Sequence, residues 1–360
     1  MWSIAYGGVF FVAWLIARVV TGWLRQWALS RGVVDRPDKM RKQHAAATPL
    51  LGGVAIAVAF NVTVVLGLAF FFWLTRHGYG SKYLGLYRSG VIASIPQLCL
   101  IAGAGIGIML VGLRDDFRPL NARQKLAGEL LIAFALYAGG VRISLFVTQP
   151  LISAFLSIVW IIGITNAFNL LDNMDGLSCG TALISSLFFF AITAFSGQLF
   201  IATLLACFIG SLAGFLAYNV PPARMFMGDA GSLFIGLMLS ILTVISTYYT
   251  PAQPTPAPVI IPLLIMAIPL FDTLSVITIR WRSGKGIFTA DTNHLSHRLV
   301  RLGMTRGQAV AFICLLNCCV GLSASLLLIL PAVGCAIVMV QSLAILAIPV
   351  FLEKIKQCSS

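Results

Sequence analysis

Apolar runs of bilayer-crossing length alternate with short polar stretches along nearly the whole chain. Dividing them at charged or Pro/Gly-rich breaks predicts eleven helical spans, at 2–24, 50–75, 91–113, 126–147, 150–168, 177–196, 198–219, 230–250, 258–281, 307–330 and 332–352. The division between 126–147 and 150–168 is the least sharp, because Gly139, Gly140 and Arg142 interrupt the first of the two. Merging that pair would leave ten spans and invert everything after it. Backbone groups in hydrocarbon must bond within the chain, which leaves helices, with a kink expected at Ala267-Ile-Pro269-Leu. No repeat of about 20–50 residues is visible. The longest polar segments run to roughly 25 residues, less than a soluble domain needs. The expected fold is therefore all-α, a single polytopic transmembrane domain over residues 1–360.

Composition agrees: 59% of residues are hydrophobic, only 10% are charged, and the mean hydropathy is +0.97. Charge adds an orientation. With Met1 outside, nineteen of the twenty-four basic residues fall in inner segments, among them Arg25 to Lys42, Arg114 to Lys125, Arg280 to Arg306, and Lys354 with Lys356. Arg76, Lys82, Arg88 and Arg142 fall outside, and Arg18 lies low in the first span, where it can snorkel inward. An odd number of spans keeps the C-terminus cytoplasmic. The net charge of +13 thus follows from topology and anionic inner-leaflet lipid, and no nucleic-acid partner is needed. The N-terminal run lacks a basic stretch before it, which suits a retained N-out anchor better than a cleaved signal. The eight cysteines fall mostly inside spans, without metal-ligand spacing, and count as small apolar residues.

The chain's eleven acidic residues can all be placed at or near one face of the bilayer. Carboxylates gathered at helix ends suggest a site open to the cytoplasm. Asp115-Asp116 ends the third span, with Lys125 shortly after; adjacent carboxylates repel, so one should hold its proton more tightly unless a cation or Lys125 offsets the charge, which makes Asp115 or Asp116 a candidate base or metal ligand. The same pair could instead salt-bridge Arg114, Arg118 and Arg123. Asn169, Asp172 and Asp175, at i, i+3 and i+6, would line one side of a continuing helix, unless Asn169 and Asp175 merely end one span and cap the next.

Phe226-Met-Gly228-Asp229-Ala-Gly231-Ser232 opens the eighth span. Free N–H groups and close backbone approach there suit phosphate beside an Asp-held metal, with a plain N-cap as the alternative for Asp229. Asp291-Thr-Asn293-His294-Leu-Ser296-His297-Arg298 offers two histidines and an arginine for a diphosphate, or two unremarkable surface histidines in a basic loop. Asp272 lies inside the ninth span, where a charge needs a partner. The first inner loop carries Lys42 and His44 before Gly52-Gly53 and would by default bind the lipid surface. Taken together, these groups suit phosphoryl transfer: carboxylates for Mg²⁺, cations for phosphate charge, and a lipid substrate.

In this order, the motifs resemble those of the polyprenyl-phosphate N-acetylhexosamine-1-phosphate transferases over about Asp35 to Gln308. The resemblance implies transfer of a sugar-1-phosphate from a UDP-N-acetylhexosamine to undecaprenyl phosphate. UMP would be released, and the first lipid-linked intermediate of a cell-envelope polysaccharide would form. It also implies a multi-pass protein of the bacterial inner membrane with a cytoplasmic active site, Mg²⁺ as cofactor with Mn²⁺ as a substitute, and room for a homodimer. Asp229 matches the metal ligand. Asp115, Asp116, Lys125, Asp172 and Asp175 match catalytic positions, and Lys42, His44, Asn169, Asp272, His294, His297 and Arg298 substrate-binding ones. The run His294-Leu-Ser296-His297-Arg298 is similar to the N-acetylglucosamine branch, whose pattern is His-x-His-His, with Ser296 in place of the middle histidine. The N-acetylmuramoyl-pentapeptide branch, with three consecutive histidines, is the alternative within the superfamily. A secondary transporter or flippase for an anionic substrate is the alternative from another class.

Overall fold

The computed structural model describes residues 2–35, 48–78, 84–144, 147, 149–250, 254–286 and 292–359. Lys42 and His44 lie outside the described residues, as does Asp291.

Each predicted span coincides with a helix or a bent helix pair. They are α1 (Trp2–Arg31), α2 (Gly52–Arg76), α3 (Arg88–Phe117), α4 (Ala122–Ala138), α5 (Pro150–Leu171), α6 (Leu177–Phe195), α7 (Leu199–Asn219) and α8 (Gly228–Ile245). The pair α9 (Ile261–Ile265) and α10 (Ala267–Arg282) follows. Beyond a short amphipathic α11 (Leu295–Arg301) come α12 (Arg306–Leu326) and α13 (Ala332–Ser359). Among the described residues, nine helices are long and apolar enough to cross a membrane, ten if the bent pair forms one span. The chain is an all-α, multi-pass membrane protein.

The span expected at 126–147 is shorter than the hydropathy pattern suggested. Helix α4 ends at Ala138, where Gly139 and the positive-φ Gly140 stop it, and its 17 residues rise only about 26 Å. A hydrocarbon core is about 30 Å thick. The kink expected near Pro269 is present: the two halves of the broken span meet at 66°. Pro269 has no N–H to offer the Ile265 carbonyl, which accepts from Ser185 Oγ on α6 instead, at 3.3 Å.

Helix α8 is the most buried of the long helices and packs against α2, α3 and α5. Its first turn meets α2 backbone to backbone. A Cβ on Gly53 would overlap Gly231, and Gly52 and Gly53 N–H donate to the carbonyls of Phe226 and Met227 at 3.0 and 2.9 Å. The only strands among the described residues, β1 (Val34–Asp35) and β2 (Thr48–Pro49), pair antiparallel, and Pro49 O accepts from Phe226 N at 2.9 Å. The residues that flank the α1–α2 loop are thereby fastened beside the start of α8.

Candidate active site

The site forms where the C-terminal ends of α3 and α5 and the N-terminal end of α4 meet the first turn of α8. Asn121 and Gln124 make a reciprocal capping box that starts α4 and sets Lys125 on its first turn. From there Lys125 Nζ donates to Asp115 Oδ2 at 3.2 Å, to Asn169 Oδ1 at 3.0 Å and to Asp229 Oδ2. An ammonium has three protons, and all three are used. Asp115 and Asp229 also lie within hydrogen-bonding reach of one another, so Lys125 supplies the positive charge that two such carboxylates need. All three side chains are half-buried, where such pairs are stronger than in open water.

The other groups hold this trio in place. Asn169 Nδ2 donates to Asp229 Oδ1 at 3.1 Å and to Ser232 Oγ at 2.9 Å, tying α5 to α8. Asp115 Oδ1 accepts from Leu120 N at 2.6 Å, which closes the α3–α4 turn. Asp116 turns the other way, its two oxygens accepting from Asp229 N at 2.7 Å and Ala230 N at 3.1 Å. The alternative of Asp229 as a plain N-cap therefore does not hold: Asp229 sits inside the first turn, and Asp116 from α3 satisfies two of the free N–H groups. Nor do Asp115 and Asp116 pair with Arg114, Arg118 or Arg123 among the described residues; Arg114 Nη1 donates to Arg118 O at 2.5 Å. Gly228, at φ 68°, and Gly112 allow the crowding, since a Cβ on either would collide with Asp116 or with the Asp229 backbone.

Asn169, Asp172 and Asp175 do not share one helix face as their spacing suggested. Helix α5 ends at Leu171, and Asp172 caps it at φ −77°, ψ 50°. Its carboxylate takes no hydrogen bond among the described residues. Burial raises its pKa well above the ordinary value, and the negative charges of Asp229, Asp116 and Asp175 raise it further. Asp172 therefore lies within electrostatic range of Asp229, Asp116 and Asp175. Asp175 accepts from Ala223 N at 2.9 Å, fixing the loop before α8. Capping of α6 falls instead to Gly176, at φ 75°, whose N–H donates to Asn219 Oδ1 at 3.0 Å.

The histidine motif forms a second group. Asp272 is buried on α10, with Oδ2 2.8 Å from His294 Nδ1 and Oδ1 accepting from Leu295 N at 2.6 Å. It thus orients the histidine and seats the start of α11. Arg298 is buried and directed to Ser275 Oγ at 2.9 Å and Glu353 Oε2 at 3.2 Å, which fastens α11 to α10 and α13. His297 is half-buried; burial first, then the charges of His294, Arg306 and Arg301, lowers its pKa. Ser296 Oγ donates to Asn173 Oδ1 at 2.5 Å and joins α11 to the α5–α6 turn beside Asp172.

Three residues that tie these elements together were not singled out from the sequence: Asn173, Asn219 and Glu353. Lone polar residues beside a motif or near a helix end give no separate signal. An isolated acid in an apolar run, such as Glu129 four residues after Lys125, does give one.

The donor set fits magnesium. Asp115 and Asp229 offer hard carboxylate oxygens at one point, and Mg²⁺ takes one or two carboxylates together with waters and substrate phosphates. Among the described residues no group of three or more His, Cys, Asp or Glu is arranged as an all-protein cage.

Residues 98–247 match the family model described as Glycosyl transferase family 4. The chain is 32% identical over 327 residues to a probable undecaprenyl-phosphate N-acetylglucosaminyl 1-phosphate transferase of Bacillus subtilis, covering 88% of this chain and 84% of the relative. It is 30% identical over 328 residues to a decaprenyl-phosphate N-acetylglucosaminephosphotransferase of Mycolicibacterium smegmatis, covering 83% and 76%. A phospho-N-acetylmuramoyl-pentapeptide-transferase of Streptococcus thermophilus is 32% identical over a shorter stretch, covering 56% of this chain and 61% of the relative.

Proposed function

The chain belongs to glycosyl transferase family 4, within the polyprenyl-phosphate N-acetylhexosamine-1-phosphate transferases, and we propose that it transfers N-acetylglucosamine-1-phosphate from UDP-N-acetylglucosamine to undecaprenyl phosphate. The observation that carries this reading is the Lys125 ammonium held between Asp115, Asp229 and Asn169 at the start of α8. The relatives of the N-acetylglucosamine branch also align over more of the chain than the muramoyl-pentapeptide enzyme does. The basic residues of the inner segments and the cytosolic supply of UDP-sugars support a bacterial inner-membrane protein with its site on the cytoplasmic face.

In the reaction an oxygen of the lipid phosphate attacks the β-phosphorus of the UDP-sugar. The bond from that phosphorus to the bridging oxygen breaks, and the bridging oxygen leaves with UMP. Little covalent work falls to the protein, so catalysis is positioning and charge stabilisation. Lys125 gives up one carboxylate for the diphosphate and meets the charge developing on the bridging oxygen. Asn169 holds Asp229 in register, and Asp116 fixes the helix start that presents both Asp229 and the local N–H groups. Asp172, without a hydrogen-bond partner among the described residues, is available to orient the attacking phosphate. A lipid monophosphate is largely dianionic at neutral pH, so orientation matters more than proton removal. His294 and His297 face the diphosphate from α11, with Asp272 orienting the first and Arg298 anchoring the helix. Asp229 with Asp115 would hold magnesium, which when bound neutralises charge on the two substrate phosphates.

UMP release from UDP-N-acetylglucosamine by purified protein, with undecaprenyl phosphate and with or without Mg²⁺, tests this reading. Metal-dependent release that Asp229→Asn abolishes supports it; folded protein that releases no UMP from any UDP-N-acetylhexosamine overturns it.

A further inference from the structure

One buried carboxyl has no part in the chemistry above. Glu129 is 3% exposed on α4, one turn deeper than Lys125. Its Oε2 accepts from Asn166 Nδ2 on α5, and its Oε1 is buried without a hydrogen-bond partner among the described residues. Asn166 also donates to Ile162 O at 3.0 Å, within its own helix. The spacing carries the inference. Glu129 follows Lys125 by four residues, and Asn166 precedes Asn169 by three, so each pair lies on one helix face. The helices α4 and α5 are therefore joined by two polar rungs a turn apart: Asn166 to Glu129 in the buried layer, Lys125 to Asn169 at the inner end.

A buried carboxyl with an unpaired oxygen is costly, and an apolar residue would pack there without that cost. Such exceptions to local rules concentrate where a site must be held in place. The inner rung faces competing demands, since Lys125 and Asn169 must exchange partners when the diphosphate arrives. The deeper rung makes no such exchange and can keep the two helices in register while the upper one opens.

We propose that Glu129, through Asn166, is a positioning residue that fixes α4 against α5 so that Lys125 and Asn169 reach Asp229 together. The role belongs to the hydrogen bond and not to the charge, because a single oxygen makes the contact. This inference rests on the transfer reaction proposed above, so wild-type UMP release is measured first; its absence would count against that reaction alone.

With wild type active, Glu129→Gln, Glu129→Leu, Asn166→Ala and the double variant Glu129→Leu/Asn166→Ala are compared per folded molecule, in kcat, KM and thermal midpoint. A group misplaced by about 1 Å costs about 100-fold, so Glu129→Leu is expected to lose about 10- to 100-fold in kcat at nearly constant KM. Glu129→Gln, which keeps an accepting oxygen, should stay near wild type, and the double variant should be no slower than the worse single one. A purely structural role would lower the midpoint and leave kcat per folded molecule unchanged; that result overturns the proposal. So would a Glu129→Gln enzyme as slow as Glu129→Leu, or losses that multiply in the double variant. If Glu129→Leu does not fold, the Glu129→Gln and Asn166→Ala enzymes decide alone: Gln must stay near wild type and Asn166→Ala must lose kcat.

Discussion

The carboxylate of Asp116, at the C-terminal end of α3, accepts hydrogen bonds from the backbone N–H groups of Asp229 and Ala230, so it completes the helix that carries Asp229. Adjacent in sequence, Asp115 and Asp116 thus do different work. Asp115 points to Lys125, whereas Asp116 supplies the N-cap that α8 lacks in its own sequence.

That division is measurable. Asp115→Asn keeps an oxygen for the Leu120 N–H but loses the charge paired with Lys125, so its thermal midpoint should stay near wild type while UMP release falls steeply. Asp116→Asn can accept from only one of two N–H groups and should lose about 1 kcal/mol of stability together with activity. Equal stability of the two variants, compared by thermal unfolding in detergent, would contradict the division.

Lys125 leads to a second expectation. Three acceptors surround a point-like ammonium, a geometry that a planar guanidinium cannot reproduce. Lys125→Arg should therefore fail to restore what Lys125→Met loses, both falling about 100- to 1000-fold in kcat. An arginine enzyme close to wild type would mean that only net charge matters at this point.

Much of this was legible in the sequence, and the reasons are physical. Spans follow from hydropathy because the bilayer imposes length and internal bonding, and the broken span at Pro269 follows from a missing N–H. The carboxylates and Lys125 stood out because charge is rare here. What the sequence could not give was which partner each group takes. Asn169, Asp172 and Asp175 suggested one helical stripe, yet α5 stops at Leu171, and of the three only Asn169 bonds to the Lys125 cluster, while Asp172 caps α5 and Asp175 bonds to a loop. Asp272 suggested a partner that the sequence did not name, and Arg298 suggested a phosphate contact by its charge. Their observed partners, His294 and Glu353, come from elements 22 and 55 residues away.

Ser296 supplies a third test. In place of a histidine it makes a short bond to Asn173, linking the histidine-bearing α11 to the turn that carries Asp172. Ser296→Ala should loosen that link and raise KM for the UDP-sugar several-fold, with a smaller effect on the thermal midpoint, because α11 is also held through Asp272 and Arg298. Asn173→Ala should reproduce the effect, and the double variant should add nothing. Independent, multiplying losses in steady-state kinetics would show that Ser296 and Asn173 act separately.

Asp172 makes stability depend on pH in a direction opposite to most acids. Burial raises its carboxyl pKa above the ordinary 3.8, so the native protein keeps a proton that the unfolded chain releases. The unfolded state then binds fewer protons, and the Asp172 contribution to stability falls as pH rises from about 4 towards the raised native value. His297 works the other way. Its pKa is lowered below the ordinary 6.5, and its contribution is lost as pH falls through that value. Wild type alone therefore mixes opposing slopes. The difference between wild type and Asp172→Asn reports the Asp172 slope, because the amide cannot ionise and the other titrating groups are common to both. Without substrate or divalent cation, the thermal midpoint of Asp172→Asn should exceed that of wild type by a margin that grows as pH rises above about 4. Parallel curves would mean that the Asp172 carboxylate is as well solvated in the folded protein as in the unfolded chain, and that the neighbouring carboxylates do not act on it.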